Sequence, residues 1–337
     1  MQTPVLAIFL LAATTATLEA QRGRGRNAPE ALENFTWQEK TFKSEAIGDE
    51  APYFIYLPKG YDDEDQADTK YPLIIWLHGM FEDHRRFHSG SGAPYLDRAV
   101  TEGQLPPCIL VCPFGGRRSM YINREDDKWQ DLITVDLLEH LNKNYRVSQR
   151  REERALMGLS MGGMAALRIG LSQPELFGII STHSAAVFSA DPADLPGNFA
   201  GFASRLGLDE VLGKPIEREA WDRINPLCIA LQTRPEDLKG LVIRFDAGDR
   251  DRYGFHQGNE LLHEALEKQG IDHEWSLIEG GRHAWGRGFQ HEALPPSFAM
   301  IGTAMRAAQA KKKGLEGLKG SLDGKADKSD GEQDGRD

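Results

Sequence analysis

Apolar runs alternate with amphipathic stretches along most of the chain. PYFIYLP (52–58), YPLIIWLHG (71–79), CILVCPF (108–114) and RALMGLS (154–160) read as strands. GIISTHSAAV (178–187), GLVIRFDAG (240–248) and HEWSLIEGG (273–281) continue the series. Between them, WQDLITVDLLEHLNKNY (129–145), GGMAALRIGLSQ (162–173) and GNELLHEALEKQG (258–270) carry apolar residues at helical spacing. In the first of these helices, Leu132, Val135, Leu138 and Leu141 fall on one expected face. Continuous apolar strands separated by helices imply an α/β domain, its mostly parallel sheet covered on both faces.

The boundaries follow from where this pattern stops. Residues 1–20, MQTPVLAIFLLAATTATLEA, are apolar and uncharged until Glu19, with small residues before Gln21. The apolar core is too short for a bilayer span, and the segment reads as a cleaved secretory signal peptide. Residues 21–33 form a polar, Gly/Arg-rich leader, and residues 311–337 a Gly-, Lys- and Asp-rich tail; both are expected to be disordered. The domain is therefore placed at 34–310. Within it, residues 189–235 are punctuated by Pro and Gly and interrupt the alternation, as an insertion over the sheet that would either wall a pocket or simply cover the core.

A net charge of −11 over 337 residues argues against nucleic acid or an anionic membrane as the main partner. The chain has three cysteines. Cys108 and Cys112, four apart in a strand, would lie roughly 13 Å apart, too far to bridge. With Cys228 they are expected as small buried hydrophobes. Neither CxxC nor HExxH occurs, so no metal is expected.

Chemistry concentrates at GLSMGG, residues 158–163. It lies between a strand and a helix, the setting in which G-x-S-x-G exposes a serine on a sharp turn. An ordinary glycine turn with an incidental serine is the simpler alternative; the flanks favour Ser160 as a nucleophile. Serine needs a base to take its proton, and in this fold the chain order is serine, acid, histidine. Downstream lie His183, His256, His263, His273, His283 and His291. His263 falls inside a helix and His273 begins a strand, whereas His283 sits in a glycine-rich loop after the last strand, where sites on parallel sheets collect. The acid belongs on the loop of LVIRFDAGDRDRYG, which offers Asp246, Asp249 and Asp251. Asp246 is close enough to the strand to cap a turn; spacing leaves Asp249 and Asp251 open. Oxyanion donors are expected from the backbone N–H of Met161, after the nucleophile, and of Met80, after the strand ending at His78 and Gly79. His78 reads as architectural; His84 and His88 could line the mouth of the site, though charged surface is the simpler reading.

With these residues in place, the chain resembles the esterase D / Putative esterase family of α/β-hydrolases. The matching pieces are LHGMFED, RSMY (118–121), KWQDLITVDLLEHLNKNYRV, RALMGLSMGGMAAL, AGDRD and GGRHAWG. They follow family order over most of residues 50–290, and their combination is specific although each alone is weak. The resemblance implies that the acid is the last residue of the G-x-x-D stretch, Asp251. The GGHDW-like ending is altered here, with Arg282 before His283 and Ala284 after it, while Trp285 is kept; the helix acid often seen as Glu is Asp136. These expectations converge on a secreted serine carboxylic ester hydrolase without cofactors. Feruloyl or acetyl esters, free or polysaccharide-linked, are its expected substrates. Rivals with the same triad are an exopeptidase and an acyltransferase; from another class, a non-catalytic carbohydrate-binding relative.

Overall fold

The structure, a computed structural model, describes residues 32–195, 197–283 and 289–329, with side chains as far as 312. The expected signal peptide, most of the leader, Ala284, Trp285 and the last residues of the tail lie outside the described residues. Eight strands form one sheet in the order β1-β2-β4-β3-β5-β6-β7-β8. They span Phe35–Ser44 (β1), Asp49–Pro58 (β2), Leu73–Leu77 (β3), Ile109–Pro113 (β4), Arg154–Leu159 (β5), Ile179–His183 (β6), Val242–Gly248 (β7) and Glu274–Ile278 (β8). β1 and β2 pair antiparallel, as do β2 and β4; the other pairings are parallel. The central strands β3, β4 and β5 are buried along their whole length. That explains their uninterrupted apolar sequence, since helices cover both sheet faces.

β1 is absent from the sequence-based expectation, and its composition explains why. FTWQEKTFKS is an edge strand with six consecutive exposed positions, so it shows no apolar run. The adjoining end of the leader is also ordered: Leu32 packs in the core, and the Glu33 N–H donates to Asp97.

A second correction concerns the face of the 129–145 segment. Val135 is 45% exposed, while Leu132, Ile133, Leu137, Leu138 and Leu141 are buried. The segment contains a π-helical turn, Leu132–Asp136, before the regular helix Leu137–Asn144. The wider turn advances the buried stripe by one position and turns Val135 to solvent. Asp136 accepts from the Ser44 hydroxyl at 2.6 Å and the Ala46 N–H at 2.9 Å, tying this helix to the end of β1.

The 189–235 insertion contains the helices Phe199–Arg205, Asp209–Leu212, Arg218–Ile224 and Pro226–Gln232. It is anchored by Trp221, whose indole N–H donates to the Ser189 carbonyl at 3.0 Å, and by Asn225, which donates to Phe188 and Ser189. The last helix, Phe289–Ser329, runs through the stretch expected to be coil from Lys311. No helix among the described residues is long and apolar enough to cross a membrane.

Candidate active site

Ser160 joins β5 to the helix Met161–Ser172 with φ 56° and ψ −113°. This conformation costs a non-glycine residue of order 1–3 kcal/mol and is held only where the surroundings enforce it. Here the Ser160 N–H donates to the His183 carbonyl at 3.0 Å, and its own carbonyl accepts from Met164 and Ala186. Two glycines make the turn possible. A Cβ on Gly158 would lie 2.2 Å from the Gly162 carbonyl oxygen, and one on Gly162 would lie 2.1 Å from that of Leu77. Side chains are excluded there because helix, β5 and β3 meet backbone to backbone.

The structure brings Ser160, His283 and Asp251 into one hydrogen-bonded chain. His283 Nδ1 lies 2.7 Å from Asp251 Oδ2, and Nε2 lies 3.0 Å from Ser160 Oγ. A carboxylate only accepts, so Nδ1 carries the hydrogen and the Nε2 lone pair faces the serine hydroxyl. The Asp251 side chain is fully buried, and its other oxygen accepts from the Tyr253 N–H at 2.8 Å. Asp249 follows β7 but makes no hydrogen bond to His283; its N–H donates to the Ile278 carbonyl at 3.1 Å. Tyr253 and Phe255 box the imidazole edge to face, with centroids at 4.6 and 5.4 Å.

Asp246, expected to cap a turn, instead lies fully buried beneath the elbow. Both its oxygens are within 3.1 Å of His183 Nδ1, with Arg244 at 3.6 Å. This supports the strand end whose carbonyl holds Ser160. His263 and His273 bond to each other at 2.7 Å.

Met161 N–H opens the elbow helix, and Met80 N–H lies on the loop after β3; neither has a hydrogen-bond partner among the described residues. The same loop is fixed from both sides. The Gly79 N–H donates to Glu82 at 2.9 Å and the Phe81 N–H to the Arg117 carbonyl at 2.8 Å. Burial raises the Glu82 pKa, opposed by Arg86, whose Nε lies 2.6 Å away. His78 is architectural: Nδ1–H donates to the Gly79 carbonyl, and Nε2 accepts from the Gly115 N–H. Burial pushes its pKa down to about 4. Tyr121 supports this strand end by donating to the His78 carbonyl at 3.3 Å.

His84 and His88 depart from the expected charged surface. His84 is buried against Glu39 at 2.7 Å, and His88 is half-buried on Trp37 and Phe54 with a bond to the Tyr56 hydroxyl. β1, unforeseen in the sequence, supplies Trp37 and Glu39 and so covers both. Cys108, Cys112 and Cys228 are buried and free.

Above Ser160 opens a cavity of about 550 Å³, walled by Met80, Phe81, Phe188, Phe199, Phe202 and Phe255. Phe199 and Phe202 come from the insertion, so that segment walls the pocket as well as covering the core. Glu82, Tyr253 and Phe255 carried no independent signal in the sequence, although Tyr253 and Phe255 directly follow the AGDRD motif. Among the described residues no cluster of three or more His, Cys, Asp or Glu is arranged to hold a metal.

Sheet order, elbow and Ser–His–Asp chain define an α/β-hydrolase fold carrying a serine-hydrolase type of centre. The chain belongs to the family described as "Putative esterase", whose model matches residues 44–299. It is 28% identical over 147 residues to an endo-1,4-beta-xylanase/feruloyl esterase of Xylanibacter ruminicola, covering 42% of this chain but only 20% of that protein. It is 31% identical over 229 residues to an acetyl esterase of Caldicellulosiruptor saccharolyticus, covering 66% of this chain and 80% of that one. A solved ferulic acid esterase shares the fold with a TM-score of 0.66 at 22% identity, covering 81% of this chain and 99% of its own.

Proposed function

We propose that the chain is a carboxylic ester hydrolase working through an acyl-enzyme on Ser160. The observation that carries this reading is the hydrogen-bonded chain from Asp251 through His283 to a serine on a strained elbow. As Ser160 Oγ attacks the ester carbonyl, His283 Nε2 takes its proton, and the Asp251 carboxylate stabilises the resulting imidazolium. Negative charge gathers on the carbonyl oxygen, for which the Met80 and Met161 N–H groups are the available donors. The C–O bond to the alcohol breaks as His283 returns the proton to the departing oxygen. Water then attacks the acyl-serine with His283 again as base, releasing the acid and restoring the hydroxyl.

The aromatic walls suit an aryl or short acyl group. Together with the names of the relatives, they support feruloyl or acetyl esters of polysaccharides as substrates. The apolar character of residues 1–20 supports export. Ser160→Ala should lose p-nitrophenyl acetate turnover and fluorophosphonate labelling while keeping its melting temperature within a few degrees. Retained turnover would reject the assignment.

A further inference from the structure

The proposed esterase centre lies under a mouth that carries arginines. Arg205, at the end of the helix Phe199–Arg205, and Arg252, next to Asp251, both line the cavity and are exposed. Arg118 lies over the Phe81 ring, 5.2 Å from its centroid. None of the three has a carboxylate within salt-bridge distance among the described residues. Arg98, Arg223, Arg250 and Arg306 are likewise exposed with no acid partner among the described residues, so what sets Arg205 and Arg252 apart is their place on the cavity wall. Among the described residues the one carboxylate in the cavity wall, Glu82, is already engaged by Arg86 and the Gly79 N–H. Arg252 Nη2 donates to the Tyr253 hydroxyl at 2.6 Å, and its remaining donors, with those of Arg205, face an aromatic well. Such a combination attracts an anion and hydrogen-bonds a carboxylate in a forked geometry.

The position of Arg252 indicates which half of the substrate carries that anion. Its guanidinium stacks on Tyr253, 4.7 Å from the ring centroid, and Tyr253 packs against the His283 imidazole. His283 must deliver its proton to the departing alcohol oxygen, so the alcohol half of the ester leaves along this flank. Resting on the esterase reading, we infer that the preferred substrates are esters whose alcohol portion bears a carboxylate, such as acylated acidic sugars, with Arg252 and Arg205 binding that carboxylate. The bond made and the bond broken are those of the hydrolysis above; the carboxylate itself is unchanged.

The test compares two matched pairs on the full chain. In 4-acetoxybenzoate against 4-acetoxybenzamide the charge sits on the alcohol side; in 4-nitrophenyl hemisuccinate against 4-nitrophenyl butyrate it sits on the acyl side. We expect kcat/KM to favour the anion by about tenfold in the first pair, the scale of one charge-assisted hydrogen bond, and not in the second. The first ratio should fall towards one in the Arg205→Ala/Arg252→Ala double variant, and shrink at 0.5 M NaCl. Because each ratio is taken within one protein preparation, partial misfolding cancels. A wild-type ratio near one, a preference confined to the second pair, or a ratio that survives the double variant would overturn the inference. Absence of turnover of all four esters, together with no fluorophosphonate labelling of Ser160, would instead overturn the esterase reading beneath it.

Discussion

Gly162→Ala isolates how the elbow positions the two donors expected for the oxyanion. The added methyl would stand 2.1 Å from the Leu77 carbonyl oxygen and 2.7 Å from that of His78. Both atoms are backbone at the end of β3, so no side chain can rotate away. Ordinary contact needs about 3.5 Å, and the helix Met161–Ser172 must therefore part from β3 by roughly 1.4 Å. Overpacking of this kind costs about 1–3 kcal/mol of stability. The same displacement separates Met161 N–H, carried on the helix, from Met80 N–H, carried on the loop after β3. A misplacement of about 1 Å at reacting groups lowers turnover by about 10²-fold. The assay is kcat for p-nitrophenyl acetate alongside the urea midpoint. Gly201→Ala serves as the control, because a Cβ there meets open space within the helix Phe199–Arg205. That change should leave stability equal or raise it by about 0.5–1 kcal/mol. Unchanged kcat and unchanged midpoint in Gly162→Ala would refute the argument that backbone contact at this glycine sets the donors.

Asp251→Asn should lower kcat by about 10³–10⁴-fold by losing control of the His283 tautomer, whereas Asp249→Asn should stay within about threefold in the same ester assay. His78 is buried neutral, its pKa near 4 when folded against an ordinary 6.5. The unfolded chain therefore binds the extra proton between those values, and stability falls with pH across that window by about 3 kcal/mol, with no further loss from this group below pH 4. Denaturant midpoints of His78→Gln should show a correspondingly shallower decline from pH 6.5 to 4; an unchanged slope would remove His78 as the cause. For the π-turn, Val135→Ala should change stability by less than about 0.5 kcal/mol, while Leu137→Ala should cost about 2–5 kcal/mol by urea denaturation. Comparable losses at both positions would contradict the outward placement of Val135.

The sequence by itself determined the α/β class, because buried parallel strands must be apolar throughout and the helices between them amphipathic. It also marked Ser160, since a serine flanked by glycines between a strand and a helix is a local signal. The position of His283 after the last strand could be read from chain order for the same reason. Spacing alone did not decide which acid meets that histidine; the resemblance pointed to Asp251, and the tertiary structure shows how it gets there. Asp249 and Asp251 differ by two loop positions, and only the fold of the loop after β7 directs Asp251 inward to Nδ1. Packing also decided what local pattern misread. β1 hid behind a polar edge, Val135 turned outward on a wide helical turn, and His84 was buried by a strand that pattern alone did not reveal. Periodicity carries neither an edge strand's polar face, nor an extra residue in a helical turn, nor the contact that Glu39 makes with His84 from 45 residues away.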